Sequence, residues 1–151
     1  MRRPSAAAAA LPAFTLIELV VVIAIVAVLA GISVPNYADH VRRGRLIEAV
    51  TRLADHRVRL EQYFLDNRRY DDGAGACGFP PQAPEPGDAF RIDCTASAAT
   101  YAITATGLEG RGAQGFAYAV DHANTRRTLA VPAGWVGSDR CWVLRRDGSC
   151  G

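Results

Sequence analysis

Glu18 is the residue of this sequence whose type is most at odds with its surroundings. It lies near the start of AFTLIELVVVIAIVAVLAGISVP, residues 13–35, where it is the one charged side chain. A carboxylate at the centre of a membrane-inserted helix costs about 2.5–3.5 kcal/mol, and less near its end. Such a residue calls for a partner. A cut between Ala13 and Phe14 would supply one, because Phe14 would then carry a new α-amino group. Glu18 would lie one helical turn from that ammonium, on the same face. An ion pair out of water is stable only when both members are present. The pair, closed within one chain or between neighbours, would therefore act as a register device.

The other chemistry-bearing residues are the cysteines, at 77, 94, 141 and 150, all in the C-terminal half. None has CxxC spacing, and His40, His56 and His122 lie in unrelated places. A zinc site is disfavoured, and neither metal nor cofactor is expected. An even count beyond a membrane-type segment reads as two disulfides formed in an oxidising compartment. Of three pairings, Cys77–Cys94 with Cys141–Cys150 is favoured, since each bridge closes a Gly- or Pro-containing loop. No nucleophile motif, metal-spaced cluster or phosphate loop appears, so no enzyme is expected. The net charge of +2 does not by itself argue for nucleic acid, although all 17 basic residues are Arg. Arg126, Arg127, Arg140, Arg145 and Arg146 accompany Trp135 and Trp142 on candidate loops and strand ends. Bases could stack there; the plainer reading is surface Arg beside two Trp that cover the sheet edge.

The elements that position these residues follow from periodicity. The apolar run is just long enough for a bilayer, which needs roughly 20 apolar residues. A secretory signal peptide is the competing reading, with AVLAG as a cleavage site, but nothing in export would select for Glu18. Beyond Pro35 the pattern stays helical, with Tyr37, Val41, Ile47, Val50, Leu53, Leu60 and Phe64 as an apolar stripe. Glu48–Arg52 and Asp55–Arg59 are i,i+4 pairs in the favourable order. One helix is thus predicted from Phe14 to about Asp66, weakened at Gly31 and Pro35. Then FRIDCTAS, TYAITATG, GFAYAVD and RRTLAVP read as strands, with DHANT as a turn. The prediction is an α+β fold: a long N-terminal helix packed on a three- or four-stranded antiparallel sheet, with a C-terminal disulfide loop.

The stretch FTLIELVVVIAIVAVLAGISVPNY resembles the N-terminus of type IV pilins and their pseudopilin relatives. Phe14, the Thr-Leu-Ile-Glu that follows, the apolar run and Pro35 all match, over about 24 residues; Ala13 departs from the Gly usual before the cut. The resemblance implies cleavage by a prepilin peptidase between Ala13 and Phe14 and N-methylation of Phe14. It implies assembly through Glu18 and Pro35, and no catalysis. It further implies a leader over residues 1–13, a membrane and fibre-core helix over 14–35, and a periplasmic head over 36–151. The chain would sit in the bacterial inner membrane first and in an extracellular fibre afterwards. Its partners would be other pilin subunits and the inner-membrane assembly machinery. The end of the helix, the paired strands and the terminal Cys loop are similar to minor pilins. A pseudopilin of type II secretion and a pilus-displayed DNA- or surface-binding receptor remain as alternatives. One tension stands: Arg42, Arg43 and Arg45 follow the apolar run on the side that should be outside, against the usual cytoplasmic bias of positive charge.

Overall fold

The computed structural model describes residues 15–150, without the side chains of residues 32–36. The expectations for Ala13, Phe14 and the Pro35 side chain lie outside that description. Helix α1 spans Leu16–Asn67. Its start is set by Thr15, whose hydroxyl accepts the Glu18 N–H at 3.3 Å and whose carbonyl accepts the Leu19 N–H at 3.2 Å. That is N-cap geometry, in which a Thr oxygen satisfies a backbone donor the helix leaves unpaired. Its end is set by Arg68 at φ 60°, with the Arg68 N–H on the Phe64 carbonyl at 2.8 Å. A left-handed residue just past the last turn stops a helix in this way. Among the described residues no helix is long and apolar enough to cross a membrane. A span over this run would also draw on Phe14 and residues 32–34.

The chain divides into two compact units between Ala38 and Asp39, inside α1. In the second unit, Leu46, Ala49, Leu53, His56 and Leu60 form the buried line of the helix. This corrects the predicted stripe at its upper end: Ile47 is 46% exposed, and Tyr37 and Val41 are also exposed. Leu46 and Ile47 are adjacent and both apolar, so spacing alone could not choose between them. Ala49, two residues on from Ile47, lies with Leu46 in the buried core.

Four strands form one antiparallel meander in the order β1-β2-β3-β4: β1 Phe90–Ala96, β2 Tyr101–Gly107, β3 Ala117–Asp121 and β4 Arg126–Ala130. The alternation read from the sequence holds. Tyr101, Ile103 and Ala105 of β2 and Tyr118 and Val120 of β3 are buried, with Phe90 and Ile92 of β1. The β3–β4 turn is built by Asp121, whose carboxylate accepts the Ala123 and Thr125 N–H groups at 3.0 and 2.9 Å, and by Asn124 at φ 58°. Asp and Asn are the residues that tolerate such geometry. β4 does not leave a bare edge: the Thr128 N–H donates to the Ser138 carbonyl at 2.8 Å, and its hydroxyl donates to the Cys141 carbonyl at 2.7 Å. The C-terminal segment thus shields the edge from pairing with another chain.

Both expected disulfides are present, Cys77–Cys94 and Cys141–Cys150, with Cα atoms 6.1 and 6.0 Å apart. A polar lock unseen in the sequence ties helix to sheet. Glu61 accepts the Tyr101 hydroxyl at 2.8 Å and the Tyr70 hydroxyl at 3.0 Å, one on each carboxylate oxygen. Burial, then the bond to Glu61, pushes both phenols above their ordinary pKa. Arg52 adds a second tie, reaching Asp88 at 2.9 Å and the Phe90 carbonyl at 3.1 Å.

Candidate assembly surface and basic faces

The first candidate is the N-terminal turn of α1. The motif Thr15-x-x-Glu18 has the composition of a capping box, in which an N-cap hydroxyl and a carboxylate three residues on satisfy each other's backbone donors. The structure records one half of it, the Thr15 hydroxyl on the Glu18 N–H. Thr15 therefore has a capping role that the sequence reading missed, although the signal was there. A box needs a polar acceptor at 18, not a charge. Following it, the apolar side chains of the first unit lie open, from Leu16 at 81% to Val20 at 49% exposed. Leu19, Val21, Val22, Ile23, Ile25, Val26, Val28 and Leu29 are likewise exposed around the helix. A helix apolar on all sides is built to be surrounded, by lipid or by other helices.

The second candidate is the Arg- and Trp-bearing face of the head. Here the structure corrects the idea of two Trp awaiting bases. Trp142 is buried, its indole N–H donates to the Ala119 carbonyl at 2.9 Å, and the Arg126 guanidinium lies 4.8 Å from its ring centre. Trp135 is half-buried and meets Phe116 edge-on at 4.7 Å. Neither presents an open stacking platform. Arg127 lies within 3.9 Å of Asp121, and Arg140, 92% exposed, reaches only the neighbouring Asp139 at 4.0 Å. These are solvated cations, suited to a phosphate backbone rather than to reading base edges.

A third group forms where the C-terminal loop meets the first turns of α1 in the second unit. Asp39 accepts from Arg146 at 3.0 Å and from Arg42 at 3.3 Å. A cleft of about 350 Å³ joins Asp39 and Arg43 to Trp135, Leu144, Arg145, Arg146 and Asp147. A neighbouring cleft is lined by Arg42, Trp135 and Arg146, among others. Arg45 donates to the Arg111 carbonyl. Residues more than 100 positions apart in sequence are thus gathered on one surface, for which no sequence signal existed.

Within the buried line of the helix, His56 packs against Phe79, with ring centres 5.3 Å apart, and Nε2 has no hydrogen-bond partner. Burial pushes its pKa down, against a backbone bond at Phe79 and the Asp55 charge, which push it up. Among the described residues no group of three or more His, Cys, Asp or Glu is placed to hold a metal ion.

Comparison with known proteins fits this geometry. Residues 35–115, just over half of the chain, match the family model described as type IV minor pilin ComP, DNA uptake sequence receptor. The chain is similar to the type IV major pilin protein PilA of Myxococcus xanthus (strain DK1622), 34% identical over 85 residues. That alignment covers 56% of this chain and 37% of the relative, so the chain spans well under half the length of the protein it matches.

Proposed function

This chain belongs to the type IV pilin family, and from that premise we propose that it is a minor subunit of a type IV pilus. A prepilin peptidase cuts between Ala13 and Phe14 and the new terminus is methylated. The apolar helix over residues 14–35 first anchors the chain in the inner membrane, with the head in the periplasm. It then becomes part of the fibre core, where Glu18 meets the amino terminus of a neighbouring subunit. Pro35 weakens the helix at the junction between anchor and head.

The observation that carries this reading is the open apolar surface from Leu16 to Leu29. Burying such side chains is worth about 1.5–3 kcal/mol each. A stack of these helices therefore holds without covalent links. The head, closed by its two disulfides and with its β4 edge covered, is carried on the fibre by the helix. The test is the mass and first residue of the chain made with and without a prepilin peptidase. A methylated chain beginning at Phe14, seen only with the peptidase, is the expected result. A chain beginning near Gly31 would mean conventional secretion and would remove the assembly role.

A second reading is favoured by the description of the matching family, a DNA uptake sequence receptor. On this chain its contact surface is the exposed set Arg127 and Arg140, with Arg126 held beside Trp142. Binding would be dominated by phosphates and would weaken steeply with salt. A gel shift with the full chain separates the readings: retention at about 50 mM salt and loss near 200 mM supports DNA contact. No shift at low salt leaves the subunit role alone.

A further inference from the structure

The arginines just beyond the apolar run were left unexplained by the positive-charge rule, and the structure enlarges the puzzle. Arg42, Arg43 and Arg45 do not stand alone on α1. The C-terminal loop brings Arg145 and Arg146 to the same surface as Arg42 and Arg43. Four arginines, Arg42, Arg43, Arg145 and Arg146, gather there with two acidic side chains, Asp39 and Asp147. Asp39 is shared between Arg42 and Arg146, which leaves a net positive surface. Among the described residues Arg43 and Arg145 make no ion pair, and both are exposed.

We propose that this surface is a basic collar that docks onto anionic phospholipid headgroups of the outer leaflet of the inner membrane while the subunit waits to be assembled. The proposal rests on the reading of residues 14–35 as a membrane anchor. Two observations select this occupant. Asp39 opens the second unit immediately after the first in the chain, inside one helix. Trp135 also lines both clefts of the surface, beside Arg146. An amphipathic indole among cations is the composition of a membrane interface. A polybasic segment gains about 1 kcal/mol per Arg near an anionic surface. The collar would thus hold the head against the membrane and release it when neighbouring subunits or salt compete for the arginines.

The experiment uses the full chain, processed at Phe14, in vesicles of phosphatidylcholine alone or mixed with phosphatidylglycerol. Each vesicle carries a trace of the same lipid with a photoreactive headgroup. Cross-linked residues are read by mass spectrometry, and insertion is read separately by resistance to carbonate extraction. The expected result is insertion in both vesicles, with cross-links at residues 39–45 and 143–147 strongly favouring phosphatidylglycerol. The preference falls from about 50 to 500 mM salt. The pair Arg43→Gln with Arg145→Gln lowers it about 10- to 25-fold, from roughly fivefold per arginine. It does so without changing the melting temperature, whereas Arg127→Gln with Arg140→Gln leaves the preference unchanged. Insertion with equal cross-linking to both lipids overturns the collar and leaves the anchor reading standing. Failure to insert in either vesicle overturns both. Cross-linking of the same residues to a duplex DNA probe, without preference among lipids, overturns the collar in favour of nucleic acid.

Discussion

Glu18 can be made to separate its two roles. The capping box needs an oxygen three residues after Thr15, and Gln serves there as well as Glu. A charge pair with an amino terminus needs the carboxylate. Glu18→Gln therefore keeps the start of α1 and removes the pair, whereas Thr15→Ala removes the hydroxyl that accepts the Glu18 N–H at 3.3 Å and keeps the charge. An N-cap Thr→Ala change costs about 0.5–2 kcal/mol. Leaving one member of a pair buried alone costs about 3–5 kcal/mol, or two to three and a half orders of magnitude in an equilibrium. The assay is the fraction of mature subunit recovered in sheared fibres against that left in membranes, after mass measurement confirms the cut at Phe14. Thr15→Ala is expected to lower incorporation by about 2- to 30-fold, and Glu18→Gln by about a hundredfold or more. If Glu18→Gln assembles within a few-fold of the unchanged chain while Thr15→Ala falls further, Glu18 is a helix cap and the register argument fails.

Four further outcomes are expected. Glu61→Ala orphans the buried hydroxyls of Tyr70 and Tyr101, at about 1–3 kcal/mol each; urea unfolding should show a loss of about 2–6 kcal/mol, and a loss below about 1 kcal/mol would mean the lock is idle. Replacing Cys77 and Cys94 together by Ser should cost about 3 kcal/mol by loop closure over 17 residues of separation, read from the same unfolding curves. His56 resists protonation when folded because it is buried, while the unfolded chain takes up its proton below about pH 6.5. Stability should therefore decline as pH falls from 7 towards 5, above the window in which the lowered carboxylates Asp88 and Asp121 titrate; His56→Gln should flatten that decline, and an unchanged slope would place its origin elsewhere. Arg126→Ala uncovers the Trp142 ring and should cost about 0.5–2 kcal/mol, with a change in Trp fluorescence as the second readout.

What the sequence disclosed and what it hid divide by range and by redundancy. Strand faces were legible because period-two alternation is unambiguous once one face is buried: Tyr101, Ile103 and Ala105 could only go inward together. The disulfides were legible because each closes a short loop. The phase of the helix was not, since Leu46 and Ile47 are equally apolar and the choice between them is made by the sheet packed against α1. Nor was Glu61, which reads as a surface charge until Tyr70 and Tyr101, the latter 40 residues away, converge on it. Trp142 was read as covering the sheet edge, but its contact with Arg126 was not legible until the fold laid one against the other. The capping box was different in kind: Thr15-x-x-Glu18 carried its own local signal, masked by the stronger oddity of a carboxylate in an apolar run.

The two readings of Glu18 are not rivals for the same free energy. A cap acts while the helix stands in one chain, and is worth about 1 kcal/mol whether or not other chains are near. A charge pair acts only when its surroundings exclude water, because in water an exposed pair contributes about 0–1 kcal/mol. The same residue can therefore be nearly silent in the isolated subunit and decisive among packed helices. A register device requires that dependence: it must not trap the single chain, and it must discriminate once the apolar side chains from Leu16 to Leu29 are covered. The arginines around Asp39 invert the logic, since their charges stay at a wet surface and lose hold as salt rises. Assembly would then replace a salt-sensitive contact between the head and lipid headgroups by the salt-resistant packing of the helix, and cross-links from residues 39–45 to lipid should be lost once the subunit is in a fibre.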